Sequence, residues 1–203
     1  MNKTITIIVL VVIALSYLSG CDSGPSTIKP ANFLTDYSKL TYNGHNSYTY
    51  VNDKGLRHYH SFIVDPVNIN LLKATQSEHN LSAQQIQDLG NYLHSKLIEA
   101  VRESGKRITF VPNGGVARIR TALTDIIETE WAGTLPSGSG SGVGGASIEL
   151  EILDSMFGVQ LAAAIESREG SKILFTNFGD MNTAKSVVDN WTSRLKKRLK
   201  SFH

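Results

Sequence analysis

Apolar residues in this chain fall into one almost unbroken run, two runs at helical spacing, and several runs that alternate with polar neighbours. The almost unbroken run, Ile5 to Leu18, follows a single cation, Lys3. It is shorter than the ~20 residues a helix needs to cross a hydrocarbon core of ~30 Å, and it suits the core of a secretory signal peptide. From Asp22 to Asn32 the chain is polar, is interrupted by Pro25 and Pro30, and has no apolar period. That composition predicts a tether, with an extended reach of ~35 Å. Phe33, Leu34, Tyr37 and Leu40 then have the spacing of one or two helical turns.

The two clear helical runs lie further on. Ser82 with Gln85 three residues later has the form of a capping box, Ile86, Leu89, Leu93, Leu97 and Val101 recur at three and four, and Gly105 ends the run. The closing run carries Ala184, Val188, Trp191, Leu195, Leu199 and Phe202 at the same spacings, after a cap at Asp180 or Thr183. Its other face is basic, with Lys185, Arg194, Lys196, Lys197, Arg198 and Lys200. The expected placement is against the sheet with Trp191 buried, because an uncovered sheet face would expose several hundred Å² of apolar surface.

The alternating runs predict strands. Residues 47–51 and 57–65 flank Asn52-Asp53-Lys54-Gly55, so a hairpin closed by Pro66 is expected. Lys106 to Val111 is a short strand, and a strand before and after the first helix implies a β-α-β crossover with one parallel pair. Val116 to Ile127 places Ala117, Ile119, Thr121 and Leu123 on one face and Arg118, Arg120 and Thr124 on the other. Ile148, Leu150 and Ile152 alternate with Ser147, Glu149 and Glu151. These two strands form a hairpin whose glycine-rich tip spans 133–145. Asp154 to Gly158 is a turn into a strand of Val159, Leu161, Ala163 and Ile165, and 171–178 is either a further short strand or a connection. The fold class is therefore α+β: a mostly antiparallel sheet of five or six strands with two amphipathic helices on one face. The chain divides into a leader at 1–20, a lipidated cysteine and tether at 21–32, and a single domain at 33–203.

Composition narrows the function. The formal charge is +2, of which Lys3 in the leader contributes one, a balance that argues against a dedicated nucleic-acid binder. Gly140-Ser141-Gly142-Val143-Gly144-Gly145 satisfies a dinucleotide fingerprint, but a strand follows it where a phosphate site needs a helix amino terminus. No nucleotide or other cofactor is expected.

Leu18-Ser19-Gly20-Cys21 ends the apolar run and supplies the single cysteine of the chain. These four residues resemble the lipobox of bacterial lipoproteins. The resemblance implies that the Cys21 thiol is joined to a diacylglycerol, that the leader is cut before it, and that the new amino terminus is acylated. Sulfur is the nucleophile such a reaction needs, and Ser19 and Gly20 are small enough for the peptidase. Several acyl chains at ~0.8 kcal/mol per buried methylene give effectively permanent anchoring. Asp22 resembles the enterobacterial signal that retains a lipoprotein in the inner membrane; with Ser23 beside it, the outer membrane remains the alternative.

A second resemblance begins at Phe33-Leu34-Thr35-Asp36-Tyr37-Ser38-Lys39-Leu40. It continues through Val64-Asp65-Pro66-Val67, Leu81-Ser82, Ile119-Arg120-Thr121-Ala122-Leu123-Thr124-Asp125, and Asp154 with Gly158. These segments resemble the lipoprotein family called domain of unknown function 3313, which implies the lipoprotein class and the fold and no catalytic residue.

Two functional readings follow. The favoured one is a lipid-anchored, periplasm-facing accessory of an envelope complex, binding or structural, without catalysis. Its partners are the membrane through Cys21 and an envelope protein, and its polar sheet face of Arg118, Arg120, Glu149 and Glu151 is the candidate partner surface. Opposite charges there can pair across the hairpin, which favours a structural role for them. The alternative is a periplasmic hydrolase or small-ligand binder built from His58, His60, Asp65 and serines. His58 and His60 share a strand face, but a metal needs a third ligand such as His45 or Asp65. The expectation is that they hold none.

Overall fold

The computed structural model describes residues 29–74, 82–131, 140–169 and 182–202. Seven strands form one sheet: β1 (Thr41–Tyr42), β2 (Ser47–Val51), β3 (Ser61–Val64), β4 (Arg107–Ile108), β5 (Val116–Trp131), β6 (Gly140–Asp154) and β7 (Gln160–Glu169). Their spatial order is β1-β2-β7-β6-β5-β3-β4. The helices are α1 (Asp53–Leu56), α2 (Asn70–Ala74), α3 (Ala83–Glu103) and α4 (Asn182–Lys200).

The fold is α+β, and the sheet is larger and more mixed than expected. β1 to β5 through β7 and β6 are antiparallel, but β3 lies parallel to both β4 and β5. The crossover through α3 accounts for the first parallel pair, Ser61 opposite Arg107 and Phe62 opposite Ile108. The strand expected over 106–111 shortens to Arg107–Ile108.

Local chemistry fixes α3. Ser82 Oγ accepts from the Gln85 amide, and the Gln85 side chain accepts in return from the Ser82 amide, which satisfies two amino-terminal donors. Gly105 takes φ 83° after the carboxyl end, where a side chain would be strained. Ile86, Leu89, Leu93, Leu97 and Val101 are buried, and each such side chain contributes ~1.5–3 kcal/mol when removed from water. Gly90 lies so close to Ile69 that a Cβ there would meet Ile69 Cγ2 at 2.7 Å.

The same sheet face carries α4, whose Ala184, Val187, Val188, Trp191 and Leu199 are buried. One cluster joins α3 and α4 to Leu123, Ile126 and Ile148, and another joins them to Phe62, Ile119 and Ile152. A register shift between Leu123 and Asp125 returns Ile126 to the face of Leu123. Lys106 is buried between the ends of the two helices. Its Nζ donates to the Phe202 carbonyl at 3.2 Å, and burial lowers its pKa. A cation there faces the negative ends of both helix dipoles.

Three local expectations are corrected. Residues 47–51 and 57–65 do not pair: β2 lies between β1 and β7, and β3 lies between β4 and β5. Asn52 caps α1, with its Oδ1 accepting from the Gly55 amide at 2.9 Å, and Leu56 is buried, so the turn residues start a helix that carries the chain away. Residues 33–40 form bends and turns and no helix. Gly140 to Gly145, expected in a loop tip, belong to β6 and, apart from Gly144 at a register shift, pair with β5 from Trp131 to Ile127. The proposed element at 171–178 lies outside the described residues.

Candidate functional site

The sheet face away from the helices is where the four charged residues converge with the segment before β1. Strand alternation puts Glu149 and Glu151 on it, beside Ala163 and Ile165 of β7. Leu34 is buried against Ala163 and Ile165, and Phe33, Tyr37, Leu40, Tyr48 and Tyr50 pack around them. Residues 31–37 therefore form a strap across the sheet.

The strap is held by its amides. Glu149 accepts from the Ala31 amide at 2.6 Å, the Phe33 amide at 3.2 Å and the Tyr37 hydroxyl at 2.5 Å. Glu151 accepts from the Thr35 amide at 2.9 Å, the Thr35 hydroxyl at 2.7 Å and Gln160 Nε2 at 3.1 Å. Arg120 Nη1 lies 2.6 Å from Glu151 Oε1, and its guanidinium stacks 4.9 Å over the Phe33 ring. Residues 31, 33 and 35 alternate so that their amides meet two carboxylates two residues apart on β6. This competition explains why the apolar spacing of 33–40 produces no helix: those amides, and the Ser38 amide held by Asp36 at 2.8 Å, are engaged elsewhere.

The expected open face of Arg118, Arg120, Glu149 and Glu151 is thus corrected. Glu149 and Glu151 are 1% and 0% exposed, and only the two arginines reach solvent. One cross-strand pair forms as anticipated, Arg120 opposite Glu151. Arg118 stands opposite Leu153 and bonds Asp65 at 2.9 Å instead.

The environment shifts several groups. Burial, then the hydrogen bond to Glu149, pushes the Tyr37 hydroxyl up to about 12. Tyr59 rises to about 12 from burial and from its bond to Asp154. Burial would raise Asp154, but the Phe157 amide, the Tyr59 hydroxyl and the Met156 amide outweigh it and lower its pKa. Asp36 falls to about 2, chiefly through the Ser38 hydroxyl.

His58 and His60 do not sit on a strand. They lie between α1 and β3, and both are exposed. Asp65 is engaged by Arg118. Among the described residues no group of three or more His, Cys, Asp or Glu could hold a metal ion. Cys21, Asp22 and the leader lie outside the described residues. No described helix is long and apolar enough to cross a membrane.

Two features leave little signal in the sequence. The strap's amides carry no side-chain signature, so its contact with β6 was hidden. At one end of the sheet, Phe110, Val111, Met156, Phe157 and Val159 are exposed; a signal was present, since these apolar residues flank the turn-forming Pro112-Asn113-Gly114-Gly115 and lie within or beside Asp154–Gly158.

A mixed sheet with its helices on one face and a strap on the other defines the class. A family model described as protein of unknown function (DUF3313) matches residues 29–195, and the chain belongs to that family. No curated protein matches it. Similar solved structures include the PelC dodecamer from Paraburkholderia phytofirmans, at TM-score 0.40 and 15% identity over 77% of this chain and 95% of that one. A minor lipoprotein from Acinetobacter baumannii is similar at TM-score 0.37 and 10% identity, over 70% and 94%. A homologue of neuraminyllactose-binding hemagglutinin from Helicobacter pylori is similar at 0.39 and 12%, over 71% and 82%.

Proposed function

We propose that this protein is a lipid-anchored accessory of the cell envelope, facing the periplasm and acting by binding or scaffolding without catalysis. The observation that carries the reading is Leu18-Ser19-Gly20-Cys21 at the end of an apolar run, with a polar tether between it and the domain. In the non-catalytic part of the reading, the acidic side chains of the sheet face are saturated by amides and Arg120. Among the described residues His58 and His60 meet no acid or hydroxyl, so nothing described there supports a nucleophile-base-orienter set. Asp22 favours retention in the inner membrane.

The test begins with metabolic labelling by a radioactive fatty acid. The native chain takes up label and Cys21→Ser does not; label persisting in Cys21→Ser would overturn the anchoring. Crosslinking in cells then identifies the envelope protein captured by the native chain, and fractionation of Asp22→Ser against native separates inner from outer membrane.

A further inference from the structure

One end of the sheet is built to hold apolar side chains in water. Phe110, Val111, Met156, Phe157 and Val159 are 56–87% exposed, and the two loops that carry them are tied together. The Asn113 amide donates to Ser155 Oγ and the Ser155 hydroxyl donates to the Asn113 carbonyl, each at 3.3 Å, while the Ser155 amide donates to the Val116 carbonyl at 3.1 Å. The Asp154 carboxylate accepts from the Met156 amide at 2.8 Å, the Phe157 amide at 2.6 Å and the Tyr59 hydroxyl at 2.8 Å. Gly158 closes the turn at φ 68°. The backbone is fixed from several sides, so the exposure is a property of the fold. Exposed apolar groups gathered in one place mark an interaction surface.

The charge around them selects the occupant. β3 and β5 start at this end, where the His60 amide donates to the Gly115 carbonyl and the Arg107 amide to the His60 carbonyl. Arg57 and Arg107 are exposed there. Arg107 bonds only Ser61 Oγ through its side chain, and neither guanidinium meets a carboxylate among the described residues. The acids nearest in the chain are occupied: Asp53 by Arg198 at 2.6 Å, Glu103 by Lys196 at 2.9 Å. Asp154 of the same turn is 9% exposed and held by the Met156 and Phe157 amides and the Tyr59 hydroxyl, so the two exposed arginines set the charge met from outside, and apolar side chains beside them match a bilayer that carries acidic headgroups.

The tether is long enough. The Ala31 amide is fixed at Glu149, and the five residues of β6 from there to Asp154 advance ~17 Å. The ten residues from Cys21 to Ala31 extend to ~35 Å, so a lipid on Cys21 leaves this end free to touch the same membrane. That step rests on the anchoring reading above.

We propose that this end of the domain docks on an anionic bilayer. Phe110, Val111, Met156, Phe157 and Val159 enter the headgroup region, and Arg57 and Arg107 lie against lipid phosphates. The test uses the full, processed chain carrying Phe157→Cys, labelled with a polarity-sensitive dye and reconstituted into vesicles. In vesicles containing phosphatidylglycerol the emission shifts to the blue and is quenched by nitroxide-bearing lipid. In phosphatidylcholine vesicles, or with Arg57→Gln and Arg107→Gln together, the quenching falls about tenfold. Water-like emission from protein attached to the phosphatidylglycerol vesicles overturns the proposal. So does a blue shift that grows with protein density and ignores lipid charge, which would mean that this end binds another protein. The mass of the purified chain reports acylation separately. If Cys21 carries no lipid, flotation of the labelled chain bearing Cys21→Ser decides the docking on its own: co-flotation with phosphatidylglycerol vesicles that is lost with phosphatidylcholine vesicles supports it, and co-flotation that ignores lipid charge or is absent overturns it.

Discussion

Glu151 sits fully buried beside a partly exposed arginine, and that asymmetry decides what each substitution costs. Glu151→Ala removes the acceptor of Thr35, Gln160 and Arg120 together, and the loss expected is ~3–5 kcal/mol, as for one partner of a buried pair. Arg118→Gln breaks a pair in which both side chains reach water and should cost no more than ~1 kcal/mol. Urea denaturation of the two variants checks this; equal midpoints would mean that Glu151 is not holding the strap. The tyrosines add a dependence on pH. Tyr37 and Tyr59 have folded values near 12 against an ordinary value of 10.0, so folding favours their protonated forms. That stability is fully present below pH 10 and is lost as pH rises toward 12. Melting temperature followed across that window should fall, and Tyr37→Phe should fall less steeply than the native chain.

At the scale of elements, legibility tracked how local the information was. α3 was readable because its cap, its apolar spacing and its terminating glycine all lie within one stretch of chain. The pairing of β2 was not, because Tyr48 stands opposite Ile165 and nothing near Tyr48 names that partner. Asn52 chemistry serves a hairpin turn or a helix cap equally, and the buried Leu56 decides for the helix. The strap was misread for a related reason: apolar spacing showed that 33–40 packs, but backbone donors, which every residue has, chose the shape. Glu149 and Glu151 looked like surface because alternation assigns a face and says nothing of what covers it. The closing helix was legible, and its docking gives a direct measurement. Trp191 is 5% exposed in the α3–α4 cluster. With Trp131→Phe leaving it as the sole tryptophan, emission should be blue-shifted without lipid and unchanged by anionic vesicles; a red emission that moves only when vesicles are added would place the helix on the membrane.

For the whole molecule, the sheet order separates sequence neighbours widely. Early strands β1 and β2 attach to the rest through β7, while β3 is inserted between β4 and β5 on the other side. The sheet face is finished by a strap that precedes every strand and needs β6 to hold it. Such long-range pairing makes folding wait for chain length. On the proposed reading of residues 1–20 as a leader, the chain emerges from a translocation channel amino terminus first, and β1, β2 and the strap cannot be fixed until the later strands are through. β2 has no inward partner until β7 is through, so under that reading the amino-terminal strands stay open during passage and the sheet closes late. A chain cut short after Val159 should accordingly be digested by a dilute protease as readily as an unfolded peptide, whereas the chain continuing to His203 resists; resistance in the shortened chain would mean that the first half folds before the second arrives.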